Sequence, residues 1–549
     1  MTTGNSNGNA HSVDFDALIV GAGFSGLYML HDLRQQGLSV KVVEQGGGVG
    51  GTWYWNRYPG ARCDSESVYY MFSERFSKEI LQEWTWSERY VGQPEILDYL
   101  NFVADKMDLR RDIQFNTRVT SAIYDEEHNR WEVTTEDGTT TSARYLITAV
   151  GCLSTTNMPK FPGLENFAGD WYHTGAWPHE PVDFTGKRVA VIGTGCTGIQ
   201  VVPEVAEEAS KVWVLQRTPN YAIPTRNGPL DSGASRSVKD DYEAIWQRAR
   251  ESGFGYPYAS EERSALDYSP EERESIYEAA WAKGGFYIGI ETFSDFLANK
   301  DSNDTISDFL RSKIRETVHD PATAELLTPK DYPFFTKRPP LETGYFEAFN
   351  RDNVALVDVR ATPISEITEH GVRTTDAEYE VDAIIFATGF DSMTGTLFRM
   401  GIRGVGGLKL EDKWADGPRT YLGLTAHGFP NLFIITGPQS PSVLANMPVA
   451  IEQNTEWIAG LIAYMRDRGI DYVEATEDAE DRWVAHHNEL AQDTLLLGTD
   501  SWWVGANIPG KARTLYPYVG GVGVFRETCQ QVADNGYEGF TLLERAPTP

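Results

Sequence analysis

The chain has 549 residues and only four cysteines, Cys63, Cys152, Cys196 and Cys529, none of them in a C-x-x-C pair. That scarcity excludes a zinc ribbon and a dithiol redox centre, and it fits a reducing, cytoplasmic compartment. No run of about 18 apolar residues occurs, so no membrane span is expected. Positive charge is short: 48 Lys plus Arg face 79 Asp plus Glu, a formal net charge of −31. Such a field repels nucleic-acid backbones and anionic lipid, so neither is an expected partner. Any site for an anionic ligand must then be built by particular basic residues. Metal ligands at useful spacing are also lacking. His486 and His487 read as a solvated pair on a helix, and no metal site is expected. The opening "MTTGNSNGNAHSV" has no apolar stretch and reads as a disordered tail, 1–13, rather than a signal peptide.

What the chain does have is glycine in two informative places. "DFDALIVGAGFSGLYMLHDLRQQGLSVKVVEQ" reads as a buried strand at Ala17 to Val20, a helix from Phe24 to Gln36 and a second strand from Ser39 to Val43. The turn between the first two is Gly21-x-Gly23-x-x-Gly26, with Phe24 and Ser25 inside it. Its glycines allow a tight turn, close approach of a pyrophosphate, and close packing of helix on strand. Glu44 ends the second strand, where an acid can bond the hydroxyls of an unmodified adenosine ribose. The pattern recurs with a strand at Arg188 to Ile192, a helix at Cys196 to Glu208 and a strand at Val212 to Gln216. The second loop is Gly193-Thr194-Gly195-x-Thr197-Gly198. Here the second strand ends in Arg217-Thr218 instead of an acid, and an arginine can pair with a 2′-phosphate. The fold class is therefore α/β, with two Rossmann-like dinucleotide-binding domains, the first suited to FAD or NAD and the second to NADP.

A flavin and NADPH in one chain imply hydride transfer onto the flavin. With no paired cysteines to accept the electrons, dioxygen, a quinone or another protein remains. "GGTWYWNRYPGARCD", Gly50 to Asp64, offers flexible backbone and aromatic faces beside a flat ring. Taken alone, Asp64 in such a loop is more often a turn or cap residue. Downstream, Lys337-Arg338 precedes two prolines, a stiff basic pair that is either an anion site or a solvated loop charge. Between about 226 and 331 the chain is charged and reads as a helical insertion. Within it Ser269, Pro270 and Glu272 form a helix-start signature.

Taken together, these residues resemble the type I Baeyer–Villiger monooxygenases, in particular the phenylacetone monooxygenase-like, cyclic-ketone and steroid members. "FAGDWYHTGAWP" matches that family's fingerprint through Phe167, Gly169, His173, Trp177 and Pro178. A second fingerprint matches through Gly51, Trp53, Tyr58, Pro59, Gly60 and Asp64. The resemblance covers about Phe15 to Phe540. It implies FAD-binding segments at 14–150 and 388–549, NADP-binding segments at 151–225 and 332–387, and an insertion at 226–331. It implies FAD, NADPH and dioxygen acting on a ketone, through a C4a-peroxyflavin, to give an ester or lactone; sulfides are a further expected substrate. By resemblance Arg338 and Asp64 are catalytic. Thr52, Trp53 and Tyr58 stand with the first glycine loop as cofactor residues. Arg217, Thr218, Lys337 and Trp502 stand with the second. Ser440, Pro441, Ser442, Val443 and Leu444 would line the substrate pocket.

His173 is expected to be structural, and the fingerprint run to be a non-helical linker anchored by Phe167 and Trp177. The chain departs from the pattern at Pro339-Pro340, where apolar residues are usual, and at Gln439, where glycine is common. Two other readings stay open: a flavin monooxygenase acting on nitrogen or sulfur nucleophiles, and a non-catalytic nucleotide sensor. The sequence sets no oligomeric state, and a monomer is compatible with it.

Overall fold

A computed structural model describes residues 13–230 and 238–544. The expected tail, Val13 apart, lies outside the described residues. Two parallel-cored sheets organise the rest. In the first, Phe15–Val20 pairs in parallel with Val40–Val43 on one side and Thr140–Thr148 on the other. Arg130–Thr135 and Val119–Asp125 continue the sheet in antiparallel sense. The chain returns to it far downstream, where Leu432–Ile434 pairs with Thr140–Thr148. The parallel strands Phe15–Val20, Val40–Val43 and Leu432–Ile434 are short apolar runs, largely buried, as strands beneath helices must be, whereas the antiparallel pair alternates buried and more exposed residues.

The second sheet has five parallel strands in the order Val354–Asp358, Lys211–Gln216, Arg188–Ile192, Ala383–Phe386 and Asp170–His173. Both expected strand–helix–strand units are present, with helices Phe24–Gln35 and Cys196–Glu208 leaving the two glycine loops. Their turns share one steric design. A Cβ on Gly26 would stand 1.8 Å from the Gly21 carbonyl oxygen, and one on Gly198 would stand 2.1 Å from that of Gly193. The third glycine is thus fixed by packing in both loops, before any ligand is considered.

The fingerprint run corrects an expectation. Asp170–His173 is not a linker but the edge strand of the second sheet, in register with Ala383–Phe386. Alternation was hidden because an edge strand can leave an aromatic in solvent: Trp171 is 46% exposed, while Tyr172 packs on Trp177 and His173 is buried. Phe167 is half-buried against the second sheet's outer core, and Trp177 is buried with Phe184.

Between Thr225 and Leu341 the described residues are largely helical. Tyr242–Glu251, Pro270–Lys283, Lys300–Thr317 and Pro321–Leu327 are its longer helices. Pro270–Lys283 opens with the reciprocal Ser269–Glu272 capping box. This helical stretch begins and ends at adjacent points, because Ile223–Pro224 pairs with Leu341–Glu342. It is riveted elsewhere by a buried ion pair. Arg250 donates to Glu452 at 3.0 Å and to the Ser73 hydroxyl at 3.2 Å. Burial pushes the Glu452 carboxyl up to about 7, against the pull of Arg250.

A second correction concerns the histidine pair. His487 is fully buried, with Nε2 2.8 Å from the Leu515 carbonyl, and His486 Nε2 lies 3.1 Å from the Tyr518 hydroxyl. The helix Glu477–Gln492 is covered on this face by the 515–518 segment, a long-range contact with no local sign. Among the described residues, no helix is long and apolar enough to cross a membrane.

The edge strand depends on Gly169. A Cβ there would meet the Asp382 carbonyl oxygen at 2.3 Å and the Phe167 ring at 2.7 Å. Gly169→Ala is expected to cost about 1–3 kcal/mol, the usual penalty of forced overpacking. A lowered thermal midpoint in the variant checks this, and an unchanged midpoint contradicts it.

Candidate active site

The site is built around one cation. Arg338 Nε donates to Asp64 Oδ2 at 2.6 Å, and Nη1 donates to the Val443 carbonyl at 2.6 Å. The guanidinium carbon sits 5.2 Å from the centre of the Phe286 ring. Three distant parts of the chain therefore meet on one side chain. They are the Gly50 to Asp64 loop, the 436–444 loop, and the helical insertion. Burial opposes the charge, but the Asp64 carboxylate outweighs it and holds the Arg338 pKa above its ordinary value. Arg338 and Asp64 remain 17% and 25% exposed, so the pair faces an opening rather than a sealed core.

Asp64 is held from the second nucleotide loop's side. Gln200, on the helix Cys196–Glu208, accepts from the Tyr58 hydroxyl at 2.7 Å and donates to the Arg62 carbonyl at 3.0 Å. Gly60 has φ +78°, and a Cβ on it would strike the Gln200 carbonyl oxygen at 2.4 Å. Tyr58 thus packs in the core beside the second sheet, with its hydroxyl on Gln200. Gln200, Phe286 and Tyr256 were missed by the sequence reading, because each reaches the site from a separate segment of the chain, and no local spacing announces the contact. Tyr256 donates to or accepts from Ser65 at 2.7 Å, next to Asp64.

At the first loop, Gly50 N–H donates to the Ala22 carbonyl, and Gly23 and Gly51 abut, so the two loops form one floor. Phe24 and Ser25 are buried in the opening of the helix, Thr52 is exposed, and Trp53 is buried edge-on to Tyr70. Glu44 accepts from the N–H groups of Ala22 and Gly46, both at 2.7 Å. Burial raises its pKa, and those N–H groups hold it back.

At the second loop, nothing lies within 4 Å of a Cβ built on Gly195, unlike Gly193 and Gly198. That open space at a helix N-terminus is what a pyrophosphate requires. Thr194 donates to the Thr218 carbonyl at 2.9 Å, which fixes the end of the strand that presents the exposed Arg217. Thr197 receives a hydrogen bond from Thr174 at 3.1 Å, which ties the loop to the end of the fingerprint strand. Lys337 lies 4.8 Å over the Tyr332 ring. Burial, and then the like charge of Arg217, pulls the Lys337 pKa below its ordinary value.

His173 accepts from Gly175 N–H through Nδ1 at 3.0 Å, and its Nε2 lies 3.3 Å from the Thr388 hydroxyl. Burial lowers its pKa, which keeps the ring neutral. Trp502 is half-buried, and its segment docks on 390–392. Lys511 reaches Asp391 at 2.7 Å, and Asn507 donates to the Phe390 carbonyl at 2.8 Å. Within that segment the buried polar atoms Ser501 Oγ, Trp503 Nε1 and Asn507 Oδ1 lack protein partners. Ser440, Pro441, Ser442 and Val443 are buried, and Leu444 packs on the aromatic cluster that includes Phe286. In the described residues, no cluster of three or more His, Cys, Asp or Glu is arranged for a metal.

The flavin-binding monooxygenase-like family matches residues 16–228. A Baeyer–Villiger monooxygenase of Pseudooceanicola batsensis is 46% identical over 527 residues, 95% of each chain. An oxidised steroid monooxygenase bound to NADP is 51% identical, with a TM-score of 0.93 over 97% of this chain and 100% of that one. A structure of OTEMO in complex with FAD and NADP is 44% identical, with a TM-score of 0.93 and the same coverage. With this likeness extending from the first glycine loop through the insertion to the last helices, the chain belongs to the Baeyer–Villiger monooxygenases, a family of flavin-binding oxidoreductases.

Proposed function

We propose that Arg338 is the cation that makes this chain's oxygen insertion possible, with Asp64 as its positioning partner. The overall reaction joins a ketone, dioxygen, NADPH and a proton to give an ester or lactone, NADP⁺ and water. Bound FAD supplies the two-electron chemistry that links NADPH oxidation to activation of dioxygen. The protein's own task is electrostatic: negative charge develops on oxygen beside the ketone carbonyl, and a fixed donor must meet it. A guanidinium suits that task because it keeps its proton at working pH. The single observation that carries the reading is Arg338 held at two of its nitrogens, by Asp64 and the Val443 carbonyl, with its face on Phe286. Oxidation of nitrogen or sulfur nucleophiles needs no such held cation.

The first glycine loop, Glu44 and the floor at Gly51 would hold FAD. The second loop would cradle the NADPH pyrophosphate over Gly195, with Arg217 and Lys337 on the 2′-phosphate and Trp502 against the cofactor. We assign 14–150 and 388–549 to FAD binding, and 151–225 and 332–387 to NADP binding, with 226–331 inserted between. Support comes from the two sheets, whose strands fall within those segments. Leu444 and Phe286 offer the ketone an apolar wall. A cytoplasmic location is in keeping with the four cysteines, all of them free thiols.

Arg338→Ala is expected to lower ester formation by about 100-fold or more, the scale of losing one oxyanion donor. Oxygen uptake should then end in hydrogen peroxide. Ester formation at the parent rate in the variant would contradict the assignment. Arg217→Ala is expected to raise the KM for NADPH by about 10- to 100-fold, the worth of one charge-assisted bond, and to leave that for NADH unchanged. Equal losses for both nucleotides would remove the 2′-phosphate role. The lowered Lys337 pKa also sets a pH dependence. Its charge is present at low pH and is lost as pH rises through a value below that of ordinary lysine. The KM for NADPH should therefore begin to climb below the pH at which an ordinary lysine loses its charge, while that for NADH stays flat, and parallel curves would contradict it.

A further inference from the structure

The loop between the strand Leu432–Ile434 and the helix Met447–Asp467 carries an unusual backbone. Thr436, Gln439 and Ser442 have φ of +54°, +66° and +42°. Non-glycine residues rarely take this left-handed form, and it persists only where surrounding contacts enforce it. Each of the three is pinned. Thr436 N–H donates to Asn454 at 2.8 Å, and the Ser442 hydroxyl lies 2.9 Å from the Cys152 thiol.

Gln439 is held most completely. Its side-chain oxygen accepts from the Thr420 N–H at 3.1 Å and from the Thr420 hydroxyl at 2.7 Å. Its side-chain nitrogen donates to the Pro418 carbonyl at 3.0 Å. Its backbone N–H donates to the Tyr516 carbonyl at 2.6 Å, and its carbonyl accepts from the Trp483 ring nitrogen at 3.3 Å. The side chain is 2% exposed, so losing these bonds would strand buried partners without water. One residue on, the Ser440 carbonyl accepts from Tyr518 N–H at 2.8 Å.

Two directions lead out of Gln439. Four residues ahead is the Val443 carbonyl that accepts from Arg338. Behind it, Tyr516 N–H donates to the Trp503 carbonyl at 2.8 Å, which connects to the segment bearing Trp502. We propose that Gln439 is a positioning residue for oxygen insertion: its side chain locks the left-handed turn that sets the Val443 carbonyl, and so Arg338, to the docked 501–516 segment. Arg338 then points correctly only when that segment is seated. The proposal rests on the catalytic role given to Arg338. It concerns a side chain that glycine at this position could not supply, although glycine would adopt the backbone form freely.

The test is the yield of ester per NADPH consumed, in the full-length holoenzyme with cyclohexanone as probe. The wasted turnover converts NADPH, a proton and dioxygen to NADP⁺ and hydrogen peroxide, and is measured in parallel. Gln439→Gly and Gln439→Ala are both expected to lower the ester yield by about 10-fold, since small misplacement of a catalytic group has effects of this order. The rate of flavin reduction by NADPH should stay within about twofold of the parent, because that step does not use the Val443 contact. Thr420→Val, which removes the 2.7 Å bond to Gln439 and the hydroxyl's 3.3 Å bond to the Pro438 carbonyl, should shift the yield in the same direction and covers the case in which a Gln439 variant does not fold. A parent-like yield in Gln439→Gly or, if that variant is unfolded, in Thr420→Val overturns the proposal. So does a lowered thermal midpoint with the yield intact, since that is mere structural support. Arg338→Ala run alongside separates the two ideas. If its yield is unchanged, the catalytic reading of Arg338 has failed. If its yield collapses while Gln439→Gly keeps the parent value, only the role of Gln439 has failed.

Discussion

A permanent cation in a protein of net charge −31 has to be held against burial and against competition from other acids. The Asp64–Arg338 ion pair meets that constraint, and much of the architecture can be read as support for it. Asp64 is carried by a loop clamped to the helix of the second nucleotide site through Tyr58 and Gln200. Arg338 leaves a segment stiffened by Pro339 and Pro340, both buried. The Val443 carbonyl caps the guanidinium from a third direction, and the insertion supplies a ring for its face. With two donors committed, the remaining N–H groups have few orientations left. That is the preorganisation which electrostatic catalysis needs.

The same logic gives the fingerprint run its meaning. As an edge strand it is bound along its backbone to Ala383–Phe386, and its far end holds Thr174 against Thr197 of the second glycine loop. The neutral His173 bridges Gly175 and Thr388, the latter in the segment that returns toward the first sheet. The run therefore joins the nucleotide loop to the crossing between the two sheets. Those contacts tie strand to loop and are structural in kind.

The sequence made the repeated parts legible. Both strand–glycine–helix units and the capping box at Ser269 could be found because each is either local and periodic or part of a spaced motif, whereas the Asp64 and Arg338 pair came only through the family resemblance. What escaped was non-local. Nothing near His487 announces that the 515–518 segment will bury it. Nothing near Arg250 shows that Glu452, two hundred residues away, will take its charge. The alternation of Asp170–His173 was masked by aromatics on both faces of an edge strand. Tyr58 reads as a cofactor neighbour in its motif, yet its hydroxyl is spent on Gln200. Local chemistry is written in short spacings, whereas the contacts that aim a catalytic group come from the order in which distant segments pack.

The claim that Asp64 acts through Arg338 can be tested by a double-mutant cycle on the rate of ester formation, using Asp64→Asn, Arg338→Ala and the pair together. If the carboxylate serves only to aim and hold the guanidinium, removing it from a chain that lacks Arg338 should cost nothing more, and the double variant should match Arg338→Ala alone. Losses that multiply, with the double variant slower by the product of the two single effects, would contradict the account and give Asp64 a separate part in the chemistry.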